Sequence, residues 1–326
     1  MRTAIVTDSN SGIFEAEGRD LGVFVVPMPV IIEGKEYLEG VNLFHEEFYQ
    51  SLIDNRELST SQPTPGSVLA VWDMALSEGF DELVYIPMSS GLSSSCQTAL
   101  MLAEDYDGKV QVVDNHRISI TQRSGVLDAL HLAQKGFTAA EIKERLEQAA
   151  YDSLIYVGVE TLEFLKRGGR VTAAGAAIGT ALNIKPLLII QGERLDAYAK
   201  VRGTKHCKKR EIEAMVNYAD CLRQEGCAFR VGVAGSFLRE EEDQEWFEMV
   251  KKVFPGEEVY SMPSRSDFLG SFPFFASGPV RGNYGAVQPQ SVCFVPRTEG
   301  RLRKGRKTVS HGVQMCPVLP YDGPPS

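Results

Sequence analysis

One short segment limits what this chain can fold into more than any other. In residues 82–98, an apolar run from Leu83 to Met88 stops at Ser89-Ser90-Gly91, and a helical pattern begins near Ser93. A short apolar run of this kind is typical of a strand buried on both faces of a parallel sheet. The segment therefore predicts a strand, a polar turn and a helix in direct succession.

The turn in this segment has the composition of an anion site. Gly91 allows the backbone to approach a ligand closely, and the serines can both donate and accept hydrogen bonds. The start of the following helix presents N–H groups that lack partners within the helix. The same residues also suit a simple turn with an N-cap, and the segment by itself leaves both interpretations open.

A second hydroxyl-rich segment lies at residues 58–66. Ser59, Thr60, Ser61 and Thr64 lie within six positions, and two prolines favour an extended backbone there. The segment is predicted to end by capping a helix that continues to Ser77. A solvated loop with no binding role is the alternative.

The order of predicted elements indicates two domains. Up to about residue 150, strands alternate with helices, which favours an α/β fold with a doubly wound, mostly parallel sheet. From Leu154 the pattern changes to a strand, a stretch of small residues and antiparallel strands within 186–199. We expect an α/β domain over 1–152 and a second α+β domain over 153–262, because 326 residues suit about two domains.

Residues 263–326 differ in composition from the rest of the chain. They carry nine of the 16 prolines, and eight basic against three acidic residues give them a charge of +5. The remainder of the chain therefore carries −9 − 5 = −14. Without hydrophobic periodicity, most of this C-terminal tail is predicted to be irregular or disordered.

Charge and composition exclude several classes of protein. A net charge of −9 argues against nonspecific binding to nucleic acid or to an anionic membrane, and no apolar run approaches the roughly 18 residues of a membrane span. The six cysteines are scattered without metal-ligand spacing. The N-terminus is predicted to be a strand rather than a signal peptide. We therefore expect a cytoplasmic protein with reduced thiols, no metal and no cofactor.

Four motifs in order give the chain a family resemblance. They are Thr7-Asp8-Ser9, Thr60-Ser61-Gln62-Pro63-Thr64, Ser89-Ser90-Gly91-Leu92-Ser93, and Leu165-Lys166-Arg167-Gly168-Gly169-Arg170 followed by Lys185-Pro186. Over about residues 1–262 the chain resembles the DegV family, whose characterised members are the fatty-acid-binding subunits of bacterial fatty acid kinase. Each motif alone is weak, and the match is specific because the four occur in the order and spacing of the family.

The resemblance implies a function and a set of residues. The protein would hold one long-chain fatty acid, with the carboxylate between the domains and the acyl chain buried in the second. Thr60, with its neighbours Ser59 and Ser61, and Ser90, with Ser93 in the same loop, would bind the carboxylate. Arg170 and Arg202 resemble positions that dock the kinase subunit. That partner would phosphorylate the acid, so this chain would be a carrier without catalysis of its own.

The tail departs from the family pattern. The family ends with an H-x-G-P-G-A-type segment whose histidine approaches the carboxylate, and residues 264–326 contain no such segment. A second domain truncated relative to the family is therefore expected. A shift of reading frame after about Met262 is one hypothesis, which the nucleotide sequence tests.

Other functions remain as alternatives. A serine hydrolase could use Ser90 or Ser93, but G-x-S-x-G is absent because Ser95 stands where the last glycine would be. A phosphate- or nucleotide-binding α/β protein could use the helix N-termini, although neither G-x-x-x-x-G-K-[ST] nor G-x-G-x-x-G occurs. The basic cluster over 202–210 suits either a solvated face or docking of an acidic partner.

Overall fold

The structure is a computed structural model, and part of the chain is described. The described residues are 1–44, 47–48, 50–51, 54, 56–159, 162, 165–166, 168–177, 184–192, 194–235, 240–262 and, for its backbone, 290–296.

A parallel sheet forms the centre of the N-terminal half. Its strands are β1 (Thr3–Asp8), β2 (Val23–Val26), β6 (Glu82–Ile86) and β7 (Val110–Val112), in the order β2-β1-β6-β7. Every neighbouring pair is parallel, which confirms the predicted fold class for this half. The apolar strand that opens the most constrained segment is therefore an interior strand of the sheet.

Helices cover both faces of this sheet. They are α1 (Glu15–Leu21), α2 (Pro65–Ser77), α3 (Ser95–Ala103), α4 (Ser119–Gln134) and α5 (Ala139–Gln148). One apolar cluster joins the sheet to α2 and α3 through Trp72 and Cys96, and another joins the opposite face to α4 and α5 through Val126 and Ile142. The predicted capping box of α5, Thr138 with Glu141, is present.

A small antiparallel sheet lies beside the parallel one. It contains β3 (Pro29–Ile32), β4 (Lys35–Leu38) and β5 (Leu58–Thr60), in the order β4-β3-β5. The predicted hairpin turn at Glu33-Gly34 is present, with positive φ at both residues. Helix α1 is not predicted by the sequence pattern. It ends at Leu21 because Gly22 adopts the left-handed conformation that caps it.

A six-stranded sheet organises the C-terminal half. Its strands are β8 (Leu154–Gly158), β9 (Ile184–Ile190), β10 (Asp196–Arg202), β11 (Phe229–Gly235), β12 (Val259–Ser261) and β13 (Gln290–Pro296), in the order β10-β9-β8-β13-β11-β12. The helices whose bounds are described in this half are α6 (Ala173–Ala176), α7 (Thr204–Gln224) and α8 (Glu240–Val253). Side chains of α7 and α8 pack on one face of the sheet, around Trp246 and Met215.

The other face of this sheet packs against the N-terminal half. Ile155 and Val157 of β8 lie two residues apart, so both point to this face. They share one apolar cluster with Met28, Met88 and Leu92 from the N-terminal half. This cluster is called the interdomain cluster below. It lies next to the edge of the parallel sheet that is formed by the carboxyl ends of its strands.

One part of the tail is a strand within this sheet. β13 pairs antiparallel with β8 on one side and with β11 on the other, so it lies in the interior of the sheet. Residues 290–296 are therefore an exception within a tail that is predicted to be mostly irregular, because strand pairing depends on partners more than fifty residues distant. Residues 263–289 and 297–326 lie outside the described part of the chain.

Candidate functional site

The site lies where the strand order of the parallel sheet reverses. From β1 the chain proceeds to β2 on one side and later to β6 on the other, and the ends of β1 and β6 meet at one edge. Ligands of open α/β sheets bind at such a reversal, outside the carboxyl ends of the strands. Here the Asp8 carboxylate accepts a hydrogen bond of 2.9 Å from the backbone N–H of Met88.

Asp8 organises this edge rather than facing a ligand. Its Oδ1 accepts hydrogen bonds from Gln122 Nε2, at 2.9 Å, and from the backbone and side-chain nitrogens of Asn10. Burial raises the pKa of Asp8 above its usual range, while these four hydrogen bonds act in the opposite direction. A carboxylate with so many donors fixes the two loops that follow β1 and β6.

A small pocket of about 30 Å³ opens beside this edge. That volume accommodates a carboxylate head or one or two water molecules. The pocket is lined by Asn10, Met28, Pro29, Val30, Glu39, Thr60, Ser61, Gln62, Met88, Ser93 and Arg170. It therefore combines hydroxyl groups from both hydroxyl-rich segments with a basic residue from the C-terminal half.

The first hydroxyl-rich segment contributes Thr60 and Ser61. Side chains alternate between the faces of a strand, so Thr60 and the buried Leu58 of β5 lie on one face and Ser59 lies on the other. Thr60 pairs with Val30, which also lines the pocket. The predicted residues Thr60 and Ser61 thus reach the pocket, and Ser59 is not among its lining residues.

The second segment contributes Ser93. Its Oγ accepts a hydrogen bond of 3.2 Å from the backbone N–H of Ser95, so the hydroxyl proton of Ser93 is available to a ligand. Ser90, the residue that the resemblance favours, lines neither this pocket nor the wider cleft next to it. The backbone N–H of Ser90 donates to Asp114 Oδ1 at 3.2 Å.

A side-chain contact connects the two segments. Thr98, in the second turn of α3, donates a hydrogen bond of 3.2 Å to the side-chain oxygen of Gln62. Gln62 lines both the pocket and the adjacent cleft. The two motifs, separated by about thirty residues in the sequence, therefore form one continuous wall.

A wider cleft of about 390 Å³ adjoins the pocket. It is lined by Gln62, Gly91, Leu92, Ser93, Ser94, Gly168, Gly169, Arg170 and Arg194. Arg170 lines both cavities, and burial lowers its pKa from the usual value, although a guanidinium stays charged at neutral pH. The second predicted docking residue, Arg202, is exposed at the end of β10 and lines neither cavity.

Glu39, a buried acid in the pocket wall, is not among the site residues predicted from the sequence. Only 3% of Glu39 is exposed, and its Oε2 accepts a hydrogen bond of 2.5 Å from Ser9. Burial, and to a lesser degree the charge of Asp8, raises the pKa of Glu39 to about 8. A glutamate between Leu38 and Gly40 carries no local signal of burial, so only the packing of β4 against the site reveals it.

The chemistry of the site is that of anion binding next to an apolar surface. Hydroxyl donors and Arg170 face the pocket, and two of its lining residues, Met28 and Met88, also belong to the interdomain cluster. Among the described residues, no histidine lines either cavity, so within that part of the chain the serine hydrolase alternative finds no imidazole base there.

The described residues contain neither a candidate metal site nor a candidate membrane span. In that part of the chain, no group of three or more histidine, cysteine, aspartate or glutamate side chains could hold a metal ion. No helix there is long and apolar enough to cross a membrane.

Comparison with known proteins identifies relatives over most of the chain. A family model described as an uncharacterised protein of the DegV family matches residues 2–266. A DegV domain-containing protein of Deinococcus radiodurans is 36% identical over 206 residues, which cover 63% of this chain and 73% of that protein. A DegV domain-containing protein of Caldanaerobacter subterraneus is 32% identical over 221 residues, 66% of this chain and 77% of that protein.

Solved structures share the fold. A DegV family protein from Thermus thermophilus, described as fatty acid binding, aligns with a TM-score of 0.74 and 28% identity, covering 90% of this chain and 99% of its own. A stearic acid-binding protein from Eubacterium ventriosum aligns with a TM-score of 0.75 and 21% identity, covering 90% and 98%. By its sequence match over residues 2–266 and by its fold, this chain belongs to the DegV family.

Proposed function

We propose that this protein binds a long-chain fatty acid, with the carboxylate in the small pocket and the acyl chain in the interdomain cluster. The observation that carries the proposal is that Thr60 and Ser93, from separate loops, line one pocket with Arg170. Each hydrogen bond to a charged group contributes about 1.5–3 kcal/mol. These donors satisfy a carboxylate without a metal or a lysine.

The apolar part of the ligand would lie against the interdomain cluster. The pocket of about 30 Å³ holds only the head group, so the chain must displace side chains of the cluster. Met28 and Met88 stand between pocket and cluster, and methionine adapts readily because it is unbranched and flexible. Burial of each methylene contributes about 0.8 kcal/mol, so burial of a C16 chain contributes a gross free energy on the order of 10 kcal/mol to binding. The chain therefore sets affinity and the hydroxyls set orientation.

The relatives support this ligand. The Thermus thermophilus protein, the relative with 28% identity, is described as fatty acid binding. A serine-rich turn at a helix start and a threonine at a strand end give this chain the donors that such a ligand requires.

In this proposal the protein presents its ligand to a separate kinase. The kinase would transfer a phosphoryl group from ATP to the carboxylate and so form an acyl phosphate, while this chain serves as a carrier without catalysis of its own. Arg202, Lys205 and Lys209 are exposed near the start of α7. In a chain with a net charge of −9, this local positive charge suits an acidic surface of a partner.

Mass spectrometry tests the ligand directly. The purified full-length protein is denatured, extracted with organic solvent and analysed for fatty acids, and the delipidated protein is then titrated with palmitate. We expect about one fatty acid per chain and saturable binding of palmitate. Hexadecanol, which lacks the charged head group, serves as the control ligand. Absence of both a bound fatty acid and palmitate binding would overturn the proposal.

A second candidate function is phosphate or nucleotide binding. Its support is the wider cleft, which Arg170 and Arg194 line together with Ser93 and Ser94. Arginine and hydroxyl side chains are common partners of phosphate oxygens. Calorimetric titration of the delipidated protein with inorganic phosphate and with ATP tests this candidate, and micromolar binding of either would favour it over the carrier function.

A further inference from the structure

A chain of hydrogen bonds leads from the backbone to the Glu39 carboxyl group. The N–H of Met28 donates to Ser9 Oγ over 3.0 Å, and the hydroxyl of Ser9 donates to Glu39 Oε2 over 2.5 Å. Ser9 thus accepts from Met28 and uses its single proton in the bond to Glu39. Oε2 therefore acts as an acceptor in this network.

The second carboxyl oxygen of Glu39 has no partner. Oε1 is buried and makes no hydrogen bond within the described part of the chain, although Glu39 lines the pocket together with Thr60 and Ser93. An unpaired charged oxygen in such a place is costly, and burial raises the pKa of Glu39 to about 8. The carboxyl group is thus largely neutral at pH 7. Oε2 already accepts from Ser9, so the proton of the neutral form has its place on Oε1, which has no other partner among the described residues.

We propose that Glu39 is a further ligand-binding residue, whose protonated carboxyl donates a hydrogen bond from Oε1 to the carboxylate of the bound fatty acid. This inference rests on the proposed function, because it names a second acid in the same head-group pocket. The two carboxyl groups would share one proton in a short O–H···O⁻ bond, which is stronger than a neutral hydrogen bond.

Binding would then be linked to protonation. An ionised Glu39 would repel the ligand carboxylate, so only the protonated form accepts the ligand well. Within the described part of the chain, the charged groups that act on Glu39 or share its pocket are Asp8, whose charge raises the pKa of Glu39, and Arg170 in the same pocket wall. Asp8 favours the neutral form of Glu39 in both the free and the bound protein, and Arg170 favours a negative charge in the pocket. The ligand carboxylate supplies that charge, and Glu39 retains its proton.

Calorimetry in buffers of different ionisation enthalpy measures this linkage. Delipidated full-length protein is titrated with palmitate between pH 6 and pH 9. Near pH 8 we expect uptake of about half a proton per ligand bound, and an affinity that falls by up to about tenfold per pH unit above pH 8. Glu39→Gln keeps a donor of the same size, so we expect binding without proton uptake and with a flatter pH profile.

Two controls separate this effect from a general one. Glu36→Gln removes an exposed acid of β4 and should leave proton uptake unchanged. Hexadecanol, which has no carboxylate, should bind without proton uptake. The role of Glu39 would be overturned if the unmodified protein took up no proton, or if Glu39→Gln took up as many protons as the unmodified protein. Either outcome would leave the proposed fatty acid binding intact. Failure of palmitate to bind at any pH would instead overturn the proposed function.

Discussion

The hydroxyl of Ser89 donates a hydrogen bond of 2.7 Å to the backbone carbonyl of Gly192 and accepts one of 3.1 Å from the N–H of Gly91. Ser89 follows β6 and Gly192 lies in the turn between β9 and β10, so one buried hydroxyl joins the two halves of the chain. Gly192 has φ of +87°, and a side chain there would collide with the ring of Tyr151. The serine-rich turn thus has a structural residue, Ser89, as well as a pocket residue, Ser93.

Removing the Ser89 hydroxyl tests this junction. In Ser89→Ala the Gly192 carbonyl loses a buried donor, and leaving such a group unpaired costs about 1–3 kcal/mol. We expect the free energy of unfolding in urea to fall by that amount. Ser94→Ala, which changes an exposed serine of the same turn, is the control and should have little effect. Equal stabilities of the two variants would contradict the assigned role of Ser89.

The alternation of side chains along β5 predicts which hydroxyls bind the ligand. Thr60→Val and Ser93→Ala should each weaken palmitate binding about tenfold to a hundredfold, because each removes a hydrogen bond to a charged group. Ser59→Ala changes the opposite face of β5 and should have no effect.

Fluorescence titration of the four proteins, including the unmodified one, checks this pattern. Ser90→Ala extends the series, because Ser90 lines neither cavity. A larger loss of affinity in Ser90→Ala than in Ser93→Ala would show that Ser90 is the ligand-binding serine and contradict the assignment made from the pocket.

The two arginines should act in different steps. Arg170 lines the head-group pocket, so Arg170→Ala should weaken binding of palmitate itself. Arg202 is exposed outside both cavities, so Arg202→Ala should bind palmitate normally and reduce only the formation of acyl phosphate by a kinase partner. Palmitate titration and a coupled phosphorylation assay separate the two effects. Weaker palmitate binding by Arg202→Ala would contradict this division.

The protonation of Glu39 should be visible in stability without any ligand. Its pKa is raised from 4.5 to about 8 in the folded protein, so between those values the folded state holds a proton that the unfolded state has lost. Stability must therefore fall as the pH rises from about 5 to about 8, and then level off, with a change of up to a few kcal/mol.

Glu39→Gln should remove this contribution from the pH profile. Asp8, whose pKa is also raised, is present in both proteins, so the difference between their profiles reports Glu39 together with its electrostatic effect on Asp8. Urea unfolding of the delipidated proteins between pH 5 and pH 9 supplies the data. Parallel profiles for the two proteins would show that Glu39 titrates normally in the folded state.

Local patterns predicted most of the elements that build the site. The strand, turn and helix around residues 82–98, the hairpin at Glu33-Gly34 and the capping box of Thr138 with Glu141 are all present. Each depends on residues close in sequence, where hydrophobic periodicity, glycine and capping side chains act directly. Local patterns do not predict helix α1, because residues 15–21 are mostly polar and Gly22, which caps the helix, lies just after its last residue.

The α/β class, the two hydroxyl-rich loops and the resemblance to the DegV family all follow from local sequence patterns and motifs. The tertiary structure alone placed Ser93 rather than Ser90 in the pocket, brought Arg170 beside Thr60, buried Glu39 and inserted β13 between β8 and β11. The physical reason is that local periodicity governs which elements form. Which side chains meet depends on contacts between segments that are far apart along the chain.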